Sequence, residues 1–129
     1  MNNKILVVDD DPAARRMLTL LLETTGEVLE ASSGDEALPI IAAERPRLML
    51  LDMTMPGMSG LEVLKASQIY AGTMTTIVLT GQNNVELAQQ ALALGAAEYI
   101  TKPFDIARLK EAVKRCVEAV PDEKTKDSA

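Results

Sequence analysis

The chain has 129 residues, of which 47% are hydrophobic and only 2% aromatic, so it can form one domain with an aliphatic core. Its formal net charge of −6 disfavours non-specific binding to nucleic acid or to an anionic membrane surface. Histidine is absent and Cys116 is the single cysteine, which excludes an internal disulfide, a histidine-dependent catalytic triad and a Cys-rich zinc site.

The sequence shows no sign of membrane insertion or export. No stretch approaches the roughly 20 apolar residues of a membrane-spanning helix. Residues 1–4 run directly into an apolar segment and lack the pattern of a signal peptide. We therefore expect a cytoplasmic protein, either freestanding or the N-terminal part of a longer one.

Strand and helix signals alternate five times along the chain. The predicted strands cover residues 5–8, 27–31, 48–51, 76–79 and 98–101. The predicted helices run from Pro12 to a stop at Gly26 and then over about residues 34–44, 60–68, 85–94 and 105–119. Residues 1–120 are thus predicted to form one domain, with Pro121 ending the last helix and residues 121–129 forming a flexible tail or the start of a linker.

Serine precedes two of the predicted helices. Ser33 and Ser59 are each followed three residues later by glutamate, which is the spacing of a capping box. Pro39 lies inside the helix after Ser33, where a proline removes a backbone donor and typically costs about 3 kcal/mol. We therefore expect a kink there, or a helix that begins later than the capping spacing indicates.

The composition of the strands predicts their order in the sheet. The first, third and fourth strands are apolar, as in strands covered on both faces, whereas the second and fifth carry Glu27 and Glu98, which suits edges. The fold class is therefore predicted to be α/β: a flavodoxin-like, three-layer, doubly wound (βα)5 sandwich around a parallel five-stranded sheet of order 2-1-3-4-5.

Polar residues follow the predicted strands where each one ends. Asp9 and Asp10 follow the first strand, Asp52 the third and Lys102 the fifth, and Thr80 closes the fourth. Open α/β sheets bind ligands at this edge. Two carboxylates about 5 Å apart repel by roughly 3 kcal/mol at an effective dielectric of 20, so the cluster favours a cation, and hard oxygen ligands suit Mg²⁺.

The same residue types fit chemistry on a phosphate. An aspartate can act as a nucleophile toward phosphorus and form an acyl phosphate. Asp52 is the best candidate, because it ends the apolar strand expected next to the first. Lys102 can pair with the charge of Asp52, and the Thr80 hydroxyl can donate a hydrogen bond to a phosphoryl oxygen.

Four motifs, each after a strand, carry a family resemblance: VVDDD at residues 7–11, LDMTMPGMSG at 51–60, LTG at 79–81 and YITKPF at 99–104. Over about residues 4–120 the chain resembles the receiver domain of two-component response regulators, the CheY-like family. The resemblance implies that Asp52 accepts a phosphoryl group from a phosphohistidine on a sensor histidine kinase or a phosphotransfer protein. It also implies that Asp10, Asp52 and the backbone carbonyl of Thr54 ligate Mg²⁺, with Asp9 helping through water.

The resemblance further implies a conformational switch. Thr80 and Lys102 would hold the phosphoryl oxygens, and a shift of Thr80 would let Tyr99 turn inward. That turn would change the face made by the fourth helix, fifth strand and fifth helix, which would control an output domain or effector protein and could also form a homodimer. The Lys102–Pro103 bond is usually cis in this family, and Thr54 and Gln82 occupy positions that tune the lifetime of the acyl phosphate.

Simpler readings remain for single residues. Asp9, Asp52 and Lys102, each taken alone, could be turn or surface residues. Arg15 and Arg16 are expected to form a solvated helix face, and Cys116 is expected in the core. The function is predicted to be that of a signalling switch, not an enzyme, with no direct binding to nucleic acid or membrane.

The sequence gives less support to two other functions. A flavin-binding module would need a hydroxyl- and glycine-rich loop after the first strand, where this chain has three aspartates. A phosphatase with an aspartyl nucleophile would usually need a second acid two residues later, where Thr54 stands.

Overall fold

The computed structural model describes residues 3–55 and 57–119, which form a sheet flanked by helices. The strands are β1 (Ile5–Val8), β2 (Val28–Ala31), β3 (Leu48–Leu51), β4 (Thr75–Thr80) and β5 (Glu98–Thr101). The helices are α1 (Pro12–Leu22), α2 (Gly34–Glu44), α3 (Gly60–Ser67), α4 (Val85–Ala93) and α5 (Ile106–Ala119). The sequence predicted each of these elements, although α1 ends at Leu22 and not at Gly26. A short 3-10 turn (Gln68–Tyr70) after α3 was not predicted.

The sheet has the strand order β2-β1-β3-β4-β5, and all its neighbouring strands are parallel. This confirms the predicted order. The strands β1 and β3 are buried along their whole length, whereas the edge strands β2 and β5 are partly exposed. Glu30 and Glu98 therefore lie on edge strands that are partly exposed to solvent.

Side chains from the two faces of the sheet pack into two separate apolar clusters. One cluster joins Leu6, Val8, Met49, Leu51 and Val78 to buried residues of α2, α3 and α4. The other joins Ile5, Val7, Leu48, Leu50, Ile77, Leu79 and Ile100 to buried residues of α1 and α5, including Cys116. The alternation of side chains along each strand thus produces the predicted three-layer sandwich, with Cys116 in its core.

Side-chain caps fix the starts of α2 and α3. Ser59 and Glu62 form a full capping box on α3. At α2, the Ser33 hydroxyl accepts from the Glu36 backbone N–H, and the Glu36 carboxylate accepts from the Ser32 N–H at 2.8 Å. The first bond satisfies a first-turn donor, and the second holds the residue before the cap. The helix α2 therefore begins at Gly34 and continues through Pro39, and the alternative of a later start is wrong. The kink stays a prediction.

Within residues 3–55 and 57–119, no helix is both long enough and apolar enough to cross a bilayer. The predicted stop at Pro121 and the predicted tail at residues 121–129 lie outside the described residues.

Candidate functional site

Strand register brings the polar strand ends together at one edge of the sheet. Val8 pairs with Leu51, so Asp9 and Asp52 leave neighbouring strands at the same level. Leu51 pairs with Val78, and β4 continues two residues further to Thr80. Thr80 in turn pairs with Thr101, so Lys102 follows directly, and the Lys102–Pro103 bond is cis.

Three carboxylates converge at this edge. Asp9, Asp10 and Asp52 each offer an oxygen, and these oxygens all lie within 4.8 Å of one another. Asp9 and Asp52 are buried, while Asp10 is exposed. Backbone donors hold the two buried acids, because Asp9 Oδ1 accepts from the Asp11 N–H at 2.9 Å and Asp52 Oδ1 accepts from the Thr54 N–H at 3.0 Å.

Lys102 supplies the positive charge of the site. Its Nζ lies 3.7 Å from Asp52 Oδ2, which confirms the predicted ion pair, and only 2.7 Å from Asp9 Oδ2, a closer pairing that was not predicted. Burial disfavours the ammonium form, but the hydrogen bond to Asp9 and the charges of both aspartates together raise the pKa of Lys102 above its usual value. The ammonium therefore stays charged at neutral pH.

The donor set fits a hard divalent cation. Three carboxylates and one ammonium leave two negative charges within a small volume. Each of the three acids contributes oxygen, and the exposed position of Asp10 leaves room for water ligands. Asp9, Asp10 and Asp52 could therefore hold Mg²⁺.

Two threonine hydroxyls and one glutamine stand beside Asp52. The Oγ1 atoms of Thr54 and Thr80 are 3.4 Å apart. The Gln82 side chain donates from Nε2 to Thr54 Oγ1 at 2.7 Å, and its backbone N–H donates to Thr80 Oγ1 at 3.3 Å. Thr54 therefore connects the two residues, because its hydroxyl lies near that of the buried Thr80 and its backbone N–H donates to Asp52.

Tyr99 contacts the loop that follows Thr80. Its hydroxyl donates to the backbone carbonyl of Gln82 at 2.7 Å, and its ring packs against the cluster between the sheet and α2, α3 and α4. Burial, and secondly the negative charge of Asp52, raise the pKa of the Tyr99 phenol above 10.0. The pKa of Tyr99 therefore depends mainly on burial and only secondly on the charge of Asp52.

Sequence reasoning missed the role of Arg15. It was expected on a solvated face, but its Nη1 donates to the backbone carbonyl of Asp9 at 2.7 Å and its Nε lies 3.3 Å from Glu30 Oε1. Arg16, by contrast, is exposed. Arg15 therefore helps to fix the backbone that carries Asp9, a role that its charge and helical position alone do not reveal.

A known protein family matches nearly all of the residues that the structure describes. The family model for the response regulator receiver domain matches residues 5–114. Sporulation initiation phosphotransferase F of Bacillus subtilis (strain 168) is 39% identical over 116 residues, which are 89% of this chain and 94% of that protein. The alkaline phosphatase synthesis transcriptional regulatory protein PhoP of the same organism is 36% identical over 98% of this chain, which spans only 55% of its length.

Solved structures of the same kind share the fold. A CheY-like response regulator receiver domain protein from Methanospirillum hungatei JF-1 has a TM-score of 0.86 and 31% identity, with 100% of each chain covered. A structure described as the BeF3-activated DrrB receiver domain has a TM-score of 0.84 and 30% identity, and covers 92% of this chain and 99% of that one.

Proposed function

The chain belongs to the response regulator receiver domain family, and we propose that Asp52 is the residue on which it accepts a phosphoryl group. Receiver domains are the phosphoacceptor domains of two-component signalling and not classical enzymes. The observation that carries the assignment of Asp52 is its place in the site. It is the buried acid whose Oδ1 is fixed by the Thr54 N–H and whose Oδ2 lies 3.7 Å from the Lys102 ammonium.

The proposed reaction is a phosphoryl transfer between two side chains. A carboxylate oxygen of Asp52 attacks the phosphorus of a phosphohistidine, the P–N bond breaks, and its electron pair returns to the imidazole. The product is an acyl phosphate. Because such transfers pass through a loose transition state, positioning and charge stabilisation supply most of the catalysis. This chain would thus promote its own phosphorylation and, with water as the nucleophile, its own dephosphorylation.

Lys102 and Thr80 are proposed to bind the transferred group. The ammonium already pairs with Asp9 at 2.7 Å and lies near Asp52, so a small movement could bring it to a phosphoryl oxygen. The Thr80 hydroxyl is buried and lies 3.4 Å from that of Thr54, whose backbone N–H donates to Asp52. Each can add a charge-assisted hydrogen bond to an anionic oxygen.

The acidic cluster is proposed to hold Mg²⁺ through Asp10 and Asp52, the backbone carbonyl of Thr54, and Asp9 acting through water. A divalent cation there would offset the negative charge that otherwise repels an incoming phosphate. The two negative charges left after pairing with Lys102 support this assignment.

Thr80 and Tyr99 are proposed as the switch. A phosphoryl group that draws Thr80 inward would also move the Gln82 backbone, since the Gln82 N–H donates to Thr80 and the Gln82 carbonyl accepts from Tyr99. The face of α4, β5 and α5 would then change shape. Moving such an equilibrium from mostly off to mostly on needs roughly 5.5 kcal/mol of differential interaction.

The partners follow from this reaction. The phosphoryl donor is proposed to be a sensor histidine kinase or a phosphotransfer protein. The downstream partner is proposed to be an output domain or effector protein that contacts the face of α4, β5 and α5. A homodimer through that face, a cytoplasmic location and a receiver domain spanning residues 1–120 stay predictions.

Radiolabelled acetyl phosphate with Mg²⁺ tests the assignment of Asp52. We expect the wild-type chain to take up label and Asp52→Asn to remain at background, because an amide cannot form the acyl phosphate. Asp35→Asn removes an exposed acid at the start of α2 and should label like the wild type. Labelling of Asp52→Asn at the wild-type level would overturn the assignment.

A further inference from the structure

Gln82 joins three parts of the site. Its side-chain amide donates to Thr54 after β3, its backbone N–H donates to Thr80 at the end of β4, and its carbonyl accepts from Tyr99 on β5. The shortest of the bonds that Gln82 donates, at 2.7 Å, links its Nε2 to Thr54 Oγ1. Gln82 thus holds both hydroxyls, the Thr54 oxygen through its side chain and the Thr80 oxygen through its backbone.

The direction of these bonds decides what the hydroxyls can do. A threonine hydroxyl has one proton to donate and two lone pairs that accept. Gln82 occupies one acceptor position on each oxygen with an N–H group, which cannot take a proton in return. Both hydroxyl protons are therefore directed away from these nitrogen atoms.

Those protons have only a weak acceptor within the described network. The two hydroxyls lie 3.4 Å apart, which is long for an O–H···O bond, and only one of them can donate to the other. An anionic phosphoryl oxygen is a much stronger acceptor. Thr54 is also held to the phosphoacceptor itself, because its backbone N–H donates to Asp52 Oδ1 at 3.0 Å.

We propose that Gln82 is a positioning residue that orients the Thr54 and Thr80 hydroxyls to donate together to the phosphoryl group on Asp52. The Thr54 side chain is then a second hydroxyl ligand of the phosphoryl group, in addition to Thr80. This inference rests on the proposed function, since it requires Asp52 to carry that group.

Glutamate in place of Gln82 would reverse the hydrogen bond. A carboxylate has nearly the same shape as the amide but only accepts, so it would capture the Thr54 proton. The hydroxyl would then present its lone pairs, and not its proton, to the phosphoryl oxygens. Gln82→Glu is therefore expected to be more harmful than Gln82→Ala, which only releases the Thr54 hydroxyl and keeps the backbone N–H that donates to Thr80.

The experiment measures binding of beryllium trifluoride, a tetrahedral mimic of a phosphoryl group on a carboxylate, to the full chain at saturating Mg²⁺ by titration calorimetry. We expect affinity to fall about tenfold for Thr54→Val and about fivefold for Gln82→Ala, with a larger loss for Gln82→Glu. Thr54→Ser retains the hydroxyl and should restore wild-type affinity. Gln89→Ala, on the exposed surface of α4, is the matched glutamine control and should bind like the wild type.

Double variants separate orientation from simple charge repulsion. If Gln82 acts through the Thr54 hydroxyl, Gln82→Ala and Gln82→Glu should each cost less in a Thr54→Val background than in the wild type. Circular dichroism of every variant establishes that it is folded. The role of Gln82 would be overturned if the affinity losses of the single variants simply multiplied in the double variants. It would also be overturned if Gln82→Glu bound the mimic as tightly as the wild type.

The same titration distinguishes this inference from the proposed function. If the wild type binds the mimic and Asp52→Asn does not, the assignment of Asp52 stands, and the variants at Thr54 and Gln82 then test only the roles proposed for those two residues. If Asp52→Asn binds as the wild type does, or the wild type does not bind, the proposed function fails, and the roles proposed for Thr54 and Gln82 fail with it.

Discussion

The Lys102 ammonium donates a 2.7 Å hydrogen bond to Oδ2 of Asp9, which lies 93 residues earlier in the chain. The same nitrogen is 3.7 Å from Asp52, beyond hydrogen-bonding distance. Lys102 therefore neutralises one of the three clustered acids in this structure, and its binding to a phosphoryl group on Asp52 would require that bond to lengthen or break.

Removing the charge of Lys102 should separate metal binding from phosphorylation. In Lys102→Gln the three acids lose their competing cation, so we expect Mg²⁺ to bind about tenfold more tightly, which corresponds to about 1.4 kcal/mol. Labelling by acetyl phosphate should fall, because the amide carries no charge for the phosphoryl oxygens. Titration calorimetry with Mg²⁺ and a labelling time course measure the two effects.

The exposed Lys110 on α5 provides the control for this experiment. Lys110→Gln makes the same change of charge away from the acids and should leave both quantities within about twofold of the wild type. Weaker Mg²⁺ binding in Lys102→Gln would contradict the competition between the ammonium and the metal.

The phenol of Tyr99 should titrate above its usual value. Burial is the first cause and the Asp52 charge the second, so Asp52→Asn should lower the pKa of Tyr99 only part of the way toward 10.0. The chain has two tyrosines and no tryptophan, so Tyr70→Phe leaves Tyr99 as the single reporter. Ultraviolet absorbance of the tyrosinate in this background gives the titration directly.

The same shift makes stability depend on pH. Because the folded state holds the Tyr99 proton more tightly than the unfolded state, its contribution is fully present below pH 10.0 and is lost as pH rises through the folded pKa. Urea unfolding of Tyr70→Phe, compared with Tyr70→Phe/Tyr99→Phe, should show a difference that shrinks across that window. A difference that grows there would show that the sign is wrong.

Thr80 should connect phosphorylation to Tyr99. We expect Tyr99 to change its fluorescence when the chain is phosphorylated, because the proposed switch moves its side chain. Thr80→Val keeps the buried shape but removes the hydroxyl, so labelling should slow about tenfold and this fluorescence change should disappear. Thr80→Ser keeps the hydroxyl and should retain both. Stopped-flow fluorescence in the Tyr70→Phe background measures the response, and a full response from Thr80→Val would exclude Thr80 from the switch.

The capping box at α3 should stabilise the fold without taking part in the chemistry. Ser59→Ala removes the hydroxyl that accepts from the Glu62 N–H at 3.2 Å, and we expect the free energy of unfolding to fall by about 1 kcal/mol. Ser59→Asn can still cap the helix and should cost only a few tenths of that. Urea denaturation followed by circular dichroism measures both, and equal losses would exclude the cap as the cause.

The sequence by itself determined the fold and the location of the site. Short apolar runs at β1, β3 and β4 indicated strands covered on both faces, and charged residues in the outer strands indicated edges. Since parallel strands end at one edge, Asp9, Asp52 and Thr80 had to meet there. These inferences depend on local patterns, which a single chain displays directly.

Only the tertiary structure decided which partners the long polar side chains have. Lys102 binds Asp9 more closely than Asp52, Arg15 holds the Asp9 carbonyl, and Gln82 links Thr54 to Tyr99. Flexible side chains can reach several partners, so their choice depends on burial and distances set by elements far apart in the sequence. The position of the acids therefore follows from the strand pattern, whereas the hydrogen bonds that control them follow from packing.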